Sequence, residues 1–112
     1  MSLTPLLDVA KEMIARFNAR DERMLELLAD DIREANYQGN VLRDGKTEVL
    51  TSLRSTWSNT PHIRLEIVHG WQFGERVVIY ERVLVSPVHA PIDVMSIFSF
   101  EGEKIRGIEF VR

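Results

Sequence analysis

Two polar side chains interrupt otherwise apolar sets, and their types are those of acid–base chemistry. Between Ile63 and Phe73 the odd-numbered positions are apolar except His69; between Val77 and Val85 they are apolar except Glu81. Alternation with a period of two is the pattern of a half-buried strand. A three-residue connection at Gly74–Arg76 predicts the pairs Phe73–Val77, Trp71–Ile79, His69–Glu81 and Ile67–Val83, so the two exceptions meet on one face. A two-residue turn would set Ile67 against Arg82 instead, because a slip of one residue reverses every side chain. Directly opposed residues hold their Cβ atoms about 4.5–5.5 Å apart, close enough for a carboxylate–imidazole hydrogen bond. Burial raises a carboxyl pKa and lowers that of histidine, while mutual proximity does the reverse. Such a pair can act as a general base near neutral pH or as a charged anchor for a ligand. Two plainer readings stand beside it: a structural hydrogen bond within the sheet, or a bulge at Gly70 that reverses the parity.

Other polar positions are candidates of a different kind. Ser96 shares a face with Val94, Phe98 and Phe100, where its hydroxyl can donate to a ligand oxygen or satisfy a neighbouring carbonyl. Glu34 and Asn36 alternate with Arg33, Ala35 and Tyr37; Asn36 is a candidate ligand donor, and Glu34 reads as a solvated strand-end residue. Met13, Trp57 and Trp71 are the candidate apolar contacts, with core packing the simpler role for both tryptophans. His62 and His89 lie beside loop prolines with no partner at ligand spacing, so no metal site is predicted. The glycines are separated, which excludes a phosphate cradle, and no G-x-S-x-G elbow occurs.

The elements that must position these residues follow from periodicity. Thr4-Pro5 reads as an N-cap and first helical residue, followed by Leu6, Ala10, Met13, Ile14 and Phe17 on one stripe of a helix over 5–19. Asp21 caps a second, shorter helix carrying Met24, Leu25, Leu27 and Leu28, which should stop at Asp30-Asp31, where acidic charge opposes the dipole. A short strand is predicted over 32–38 and a loop over 39–45. Val49, Leu50, Leu53 and Trp57 mark a third helix that Asn59 and Pro61 end. Four strands come next as a meander: 63–73, 76–85, 93–101 and 104–111. Helices in front and strands behind indicate a single α+β domain over 1–112.

Length and composition agree with that organisation. The chain has 112 residues, 45% of them hydrophobic, enough for one core without covalent staples. It has no cysteine, which excludes disulfides and thiolate chemistry. A net charge of -3 with scattered basic residues argues against a nucleic-acid surface. No apolar run is long enough to span a bilayer and no signal-peptide layout opens the chain, so a cytoplasmic protein is expected. Val78, Leu84, Met95, Ile97, Ile105 and Val111 fall on the opposite parity from His69 and Glu81. A sheet apolar on both faces needs cover on both, which predicts a homodimer through the outer face.

Several stretches, in this order, resemble the nuclear-transport-factor-2-like superfamily, also described as SnoaL-like or ketosteroid-isomerase-like. They are Phe17-Asn18-Ala19-Arg20-Asp21, Leu27-Leu28-Ala29-Asp30-Asp31, Asp44-Gly45-Lys46 and the closing Ile97–Ile105 segment. The resemblance implies a cone: a bent antiparallel sheet wrapped around three helices, with a largely apolar cavity open at one end. It also implies dimers through the outer sheet face. Members include isomerases, cyclases, epoxide hydrolases, dehydratases and non-catalytic binding modules, so it bounds the site without naming a reaction. The ketosteroid isomerases' oxyanion-hole tyrosine would fall on Met13, their general-base aspartate on Asn36 and their protonated aspartate on Ser96. All three are replaced, and Asp93, three residues before Ser96, belongs to the other face of an unbulged strand. A steroid-type proton shuttle by those positions is therefore excluded.

The expectation is a cavity for a small apolar or aromatic oxygen-bearing molecule. Cofactor-free isomerisation, cyclisation or dehydration would use Glu81 as base, His69 to orient it, and Asn36 and Ser96 as donors. The competing expectation is a non-catalytic dimeric module with a filled cone.

Overall fold

The computed structural model describes residues 5–112. In chain order the elements are α1 (Leu6–Asn18), a 3-10 helix (Glu22–Leu27), β1 (Leu28–Asn36), β2 (Val41–Asp44), α2 (Lys46–Asn59), β3 (Arg64–Phe73), β4 (Arg76–Leu84), β5 (Ile92–Glu101) and β6 (Lys104–Val111). The six strands form one sheet in the order β2-β1-β6-β5-β4-β3, with β1 parallel to β6 and the other pairs antiparallel. The predicted meander is therefore its body, and the first strand with its hairpin partner extends it. The sheet is curved and unclosed; α1 packs on the β3–β4 end and α2 on the β1–β2 end. Among the described residues no helix is long and apolar enough to cross a membrane.

The α1 stripe is the predicted one: Val9, Ala10, Met13, Ile14 and Phe17 are buried. Thr4, read as the N-cap, lies outside the described residues, and Pro5 holds the N-cap position in extended conformation without a side-chain cap. Asp21 does cap the next helix, accepting from Arg23 N–H at 2.9 Å. That segment is a 3-10 helix, and it ends three residues before Asp30. Leu28 already begins β1, so Asp30 and Asp31 stand on a strand, ion-paired to Lys46 and Arg106. The expected loop over 39–45 contains β2. Gln38 takes a left-handed φ of 53° at the hairpin turn, and Arg33 and Glu34 pair with Asp44 and Arg43.

The register of β3 on β4 differs from the prediction in a way that matters for the site. The connection is the two-residue turn Gly74-Glu75, with Gly74 at φ 59°, a conformation that glycine adopts without steric cost. It pairs Phe73 with Arg76, Trp71 with Val78 and His69 with Tyr80. A bulge between Ile67 and His69 then absorbs one residue, so that Ile67 lies opposite Glu81 and Leu65 opposite Val83. Apolar parity is thus kept on the Ile63–Ile67 side and reversed beyond it.

Close packing of α1 explains the location of the switch. A Cβ on Gly70 would come within 2.9 Å of Leu7 Cδ1, and Gln72 accepts a hydrogen bond from Leu7 N–H at 3.1 Å. Gly70 and Gln72 therefore take the helix-facing positions, and His69 and Trp71 face away. On the other side of the bulge, Asn18 clasps Leu65, donating to its carbonyl and accepting from its N–H, both at 2.8 Å. The side chain supplies this edge strand with the partner that a further strand would otherwise provide. Ile105, expected on the outer face, is fully buried; a register shift between Ser99 and Phe100 turns it inward against the core.

Candidate functional site

Between α1, α2 and the concave sheet face lies a cavity of about 230 Å3. Met13 and Phe17 of α1, Leu53 and Thr56 of α2, and Phe98, Ile108 and Phe110 of the sheet form much of its apolar wall. Its buried ionisable group is Glu81, on β4, whose residue is only 5% exposed. Ser96, on β5, is wholly buried beside it. Ser96 pairs with Ile79 and Glu81 with Val94, which makes Ser96 and Glu81 diagonal neighbours on one face.

The Ser96 hydroxyl donates to Glu81 Oε1 at 2.5 Å. Glu81 Oε2 is buried and makes no hydrogen bond among the described residues. Burial among apolar groups pushes the Glu81 carboxyl above the ordinary carboxylate range, and the Ser96 hydroxyl opposes this less strongly by favouring the anion. A carboxyl so placed holds its proton further toward neutrality than a solvated one, and it can give that proton to, or take one from, whatever occupies the cavity.

The other polar part of the wall comes from the β1–β2 end. Glu34 and Arg43, opposite each other in the hairpin, form an ion pair through Arg43 Nε. Ser52 of α2 accepts from Arg43 Nη1 at 3.5 Å. Arg112, just beyond β6, completes this side of the wall.

The structure brings together Glu81, Ser96 and Met13, and it separates the remaining candidates. His69 is not a neighbour of Glu81: it is exposed on the outer face, opposite Tyr80, with its ring 4.4 Å from that of Trp71. The predicted dyad is absent because the β3 bulge reverses parity between Ile67 and His69. Trp71, on the same reversed stretch, is 38% exposed and lies away from the cavity. Asn36 is not part of the cavity wall; its amide donates to Asn40 Oδ1 in the β1–β2 turn. Trp57 packs behind the wall, its ring 5.9 Å from that of Phe17, and its buried Nε1 has no hydrogen bond among the described residues.

Glu34, read as solvated, belongs to the cavity because β2 folds back over it and supplies Arg43. Arg43 escaped notice because 39–45 reads as a loop, which leaves no parity to assign, and Ser52 because it lies off the apolar stripe of the third helix. His89 Nδ1 lies 2.5 Å from Ser86 Oγ in a loop, and among the described residues no group of acidic and imidazole side chains converges as a metal site would.

The model of the SnoaL-like domain matches residues 10–108. Among solved structures, an uncharacterised cystatin-fold protein from Novosphingobium aromaticivorans is 36% identical, with a TM-score of 0.91 over 97% of this chain and 99% of that one. A nuclear-transport-factor-2-like protein of unknown function from Cytophaga hutchinsonii is 12% identical, with a TM-score of 0.80 over 98% of this chain and 91% of that one. TerC, co-crystallised with polyporic acid, is 18% identical, with a TM-score of 0.80 over 96% of this chain and 91% of that one. No curated protein sequence matches.

Proposed function

Because the chain belongs to the SnoaL-like domain family, we propose that it takes a small apolar or aromatic oxygen-bearing molecule into its cavity and moves a proton on it through Glu81. The observation that carries this reading is the buried carboxyl whose Oε2 has no partner among the described residues. An unsatisfied buried polar atom costs about 1–3 kcal/mol, and native structures hold few of them. A ligand carbonyl or hydroxyl at Oε2 would remove that cost. Met13, Phe17 and Phe110 offer the apolar contacts, and Ser96 holds the carboxyl in place. Ligand sites usually run ~300–1,000 Å3, so a cavity of about 230 Å3 fits a compact, single-ring molecule. The chemistry open to such a site is isomerisation, cyclisation or dehydration by general acid–base action of the chain's own side chains.

The test is native mass spectrometry of gently purified protein, followed by titration of the ligand it retains. Glu81→Gln keeps the shape and should abolish turnover while retaining binding. Equal turnover by Glu81→Gln would remove Glu81 from the chemistry.

A second reading, a non-catalytic dimeric module, draws on the outer sheet face. Val78, Trp71, Met95 and Ile97 lie on adjacent strands there, and Trp71 and Met95 are each 38% exposed. Both readings share the inference that two copies pair through this face, each covering apolar surface that the helices leave open.

A further inference from the structure

The cavity wall holds three hydroxyl groups, and two of them are engaged. Ser96 donates to Glu81 Oε1, and Ser52 accepts from Arg43 Nη1. The third, Thr56 Oγ1, makes no hydrogen bond among the described residues. A threonine within a helix often spends its hydroxyl on the carbonyl one turn back. Thr51 does so, donating to the Thr47 carbonyl at 3.0 Å. Thr56, on the same helix, does not. The charged side chains leave no rival inside: Glu34 and Arg43 hold each other, and Arg112 is exposed beyond β6. Two hydrogen-bonding groups of the wall are therefore unspent, Glu81 Oε2 and the Thr56 hydroxyl.

The direction of Thr56 follows from helix spacing. Val49, Ser52, Leu53 and Thr56 recur at intervals of three, one and three residues, which is one face of α2. That face overlaps the apolar stripe at Val49 and Leu53, both buried, and turns the two hydroxyl residues toward the cavity. The course of α2 sets where Thr56 lies. The helix starts after β2, at one edge of the sheet, and leads through residues 60–63 into β3, at the other. Its 14 residues span about 21 Å, close to the roughly 24 Å of five strand spacings. Thr56, in its last turn, thus comes over the β3–β4 side, where Leu65, Val83 and Glu81 form the wall. The helix packs on β1 and β2 and parts from the sheet toward β4. Thr56 and Glu81 accordingly stand on opposite walls, one on helix and one on sheet.

Resting on the reading of the cavity as a ligand site, we propose that Thr56 is its second anchoring group and that the ligand is a single-ring compound with oxygen functions at two ends. One oxygen meets Glu81 Oε2, and the other shares a hydrogen bond with Thr56 Oγ1. Neither contact depends on the charge of Glu81: a ligand hydroxyl donates to the carboxylate and accepts from the acid, and threonine both donates and accepts. With Glu81 alone, the ring is free to swivel among apolar side chains. A second contact fixes which ring edge the carboxyl meets, and so which proton it reaches.

Isothermal titration with two probes of matched shape tests the assignment: hydroquinone, kept reduced, has a hydroxyl at each end, and 4-methylphenol replaces one of them by a methyl group. Thr56→Val keeps the shape of the side chain and removes its hydroxyl. It should lower the affinity for hydroquinone relative to 4-methylphenol by about two- to tenfold, the scale of one neutral hydrogen bond. Thr56→Ser, which retains the hydroxyl, should keep most of the wild-type ratio. A ratio that Thr56→Val leaves unchanged, or that Thr56→Ser shifts as far as Thr56→Val does, overturns the proposal. If both probes then still bind and Glu81→Leu weakens them, the cavity reading stands without Thr56. Binding of neither probe overturns both.

Discussion

Ser96 reaches diagonally from β5 to donate its hydroxyl to Glu81 Oε1 on β4, and this one contact leaves the other carboxyl oxygen to the cavity. Residues on neighbouring strands meet in this way only when both point to the same face, which for this pair is the inner one. Here the unbroken β4–β5 register guarantees it, from Arg76–Ser99 to Val83–Ile92.

Stability should fall with rising pH through Glu81. Its folded pKa lies above the ordinary glutamate value of 4.5, so between that value and the folded one the native state holds a proton that the unfolded chain has released. Native stability therefore declines across this window and levels off on either side. Urea unfolding of wild type and Glu81→Gln at a series of pH values isolates the effect: their difference should widen in favour of Gln as pH rises. A constant difference would mean that Glu81 titrates normally. Asp21 works in the opposite sense. Hydrogen bonds from Arg23 hold it at about 2, so its contribution is present above the ordinary aspartate value and is lost as pH falls toward 2.

Removing the Ser96 hydroxyl should move Glu81 further in the same direction. The hydrogen bond favours the anion, so Ser96→Ala raises the carboxyl pKa above that of wild type and costs about 1–3 kcal/mol of stability. Carbon-detected NMR titration of the Glu81 carboxyl reads the shift directly. A lower midpoint in Ser96→Ala would contradict the assigned donor.

His69 provides a control with a definite outcome. It lies on the outer face, so His69→Ala should leave the Glu81 titration midpoint and probe binding in the cavity as they are in wild type. A shift of the Glu81 midpoint would restore the partnership that the β3 bulge breaks.

Gly70 is the position where helix and sheet leave no room. Gly70→Val should cost about 1–3 kcal/mol by crowding Leu7 Cδ1. Leu7→Ala in the same chain should return part of it, because the obstructing atom is the end of a flexible side chain. Chemical denaturation of the two variants and the double variant gives the coupling, and strict additivity would show that the strain lies elsewhere.

The proposed pairing of two copies is open to a single charge. Met95→Lys places an ammonium group in the middle of the exposed apolar outer face, beside Tyr80. Light scattering at micromolar concentration should give a dimer for wild type and a monomer for the variant. A monomeric wild type would mean that no second copy covers this face.

The chain's local pattern determined most of the architecture. The α1 stripe, the Asp21 cap, the third helix and the meander were all legible, because side-chain periods of 3.6 and 2 are set by burial on one face. The inward direction of Glu81 and Ser96 was legible too, since β4 and β5 alternate without interruption. Only the tertiary structure could decide the places where that alternation is broken or undetectable. Parity could offer a bulge near Gly70 as an alternative but could not choose it: what favours it is the lack of room for a side chain there, where an added Cβ would meet Leu7 Cδ1, 63 positions away in the chain. The Glu34–Arg43 side of the cavity was hidden for another reason, since the two lie only nine residues apart. A four-residue strand has too few alternations to announce itself, and it acquires a face only once β1 is there to pair with it. Local sequence specifies which side of an element is apolar; packing between distant elements specifies which element that side meets, and so which polar groups share a cavity.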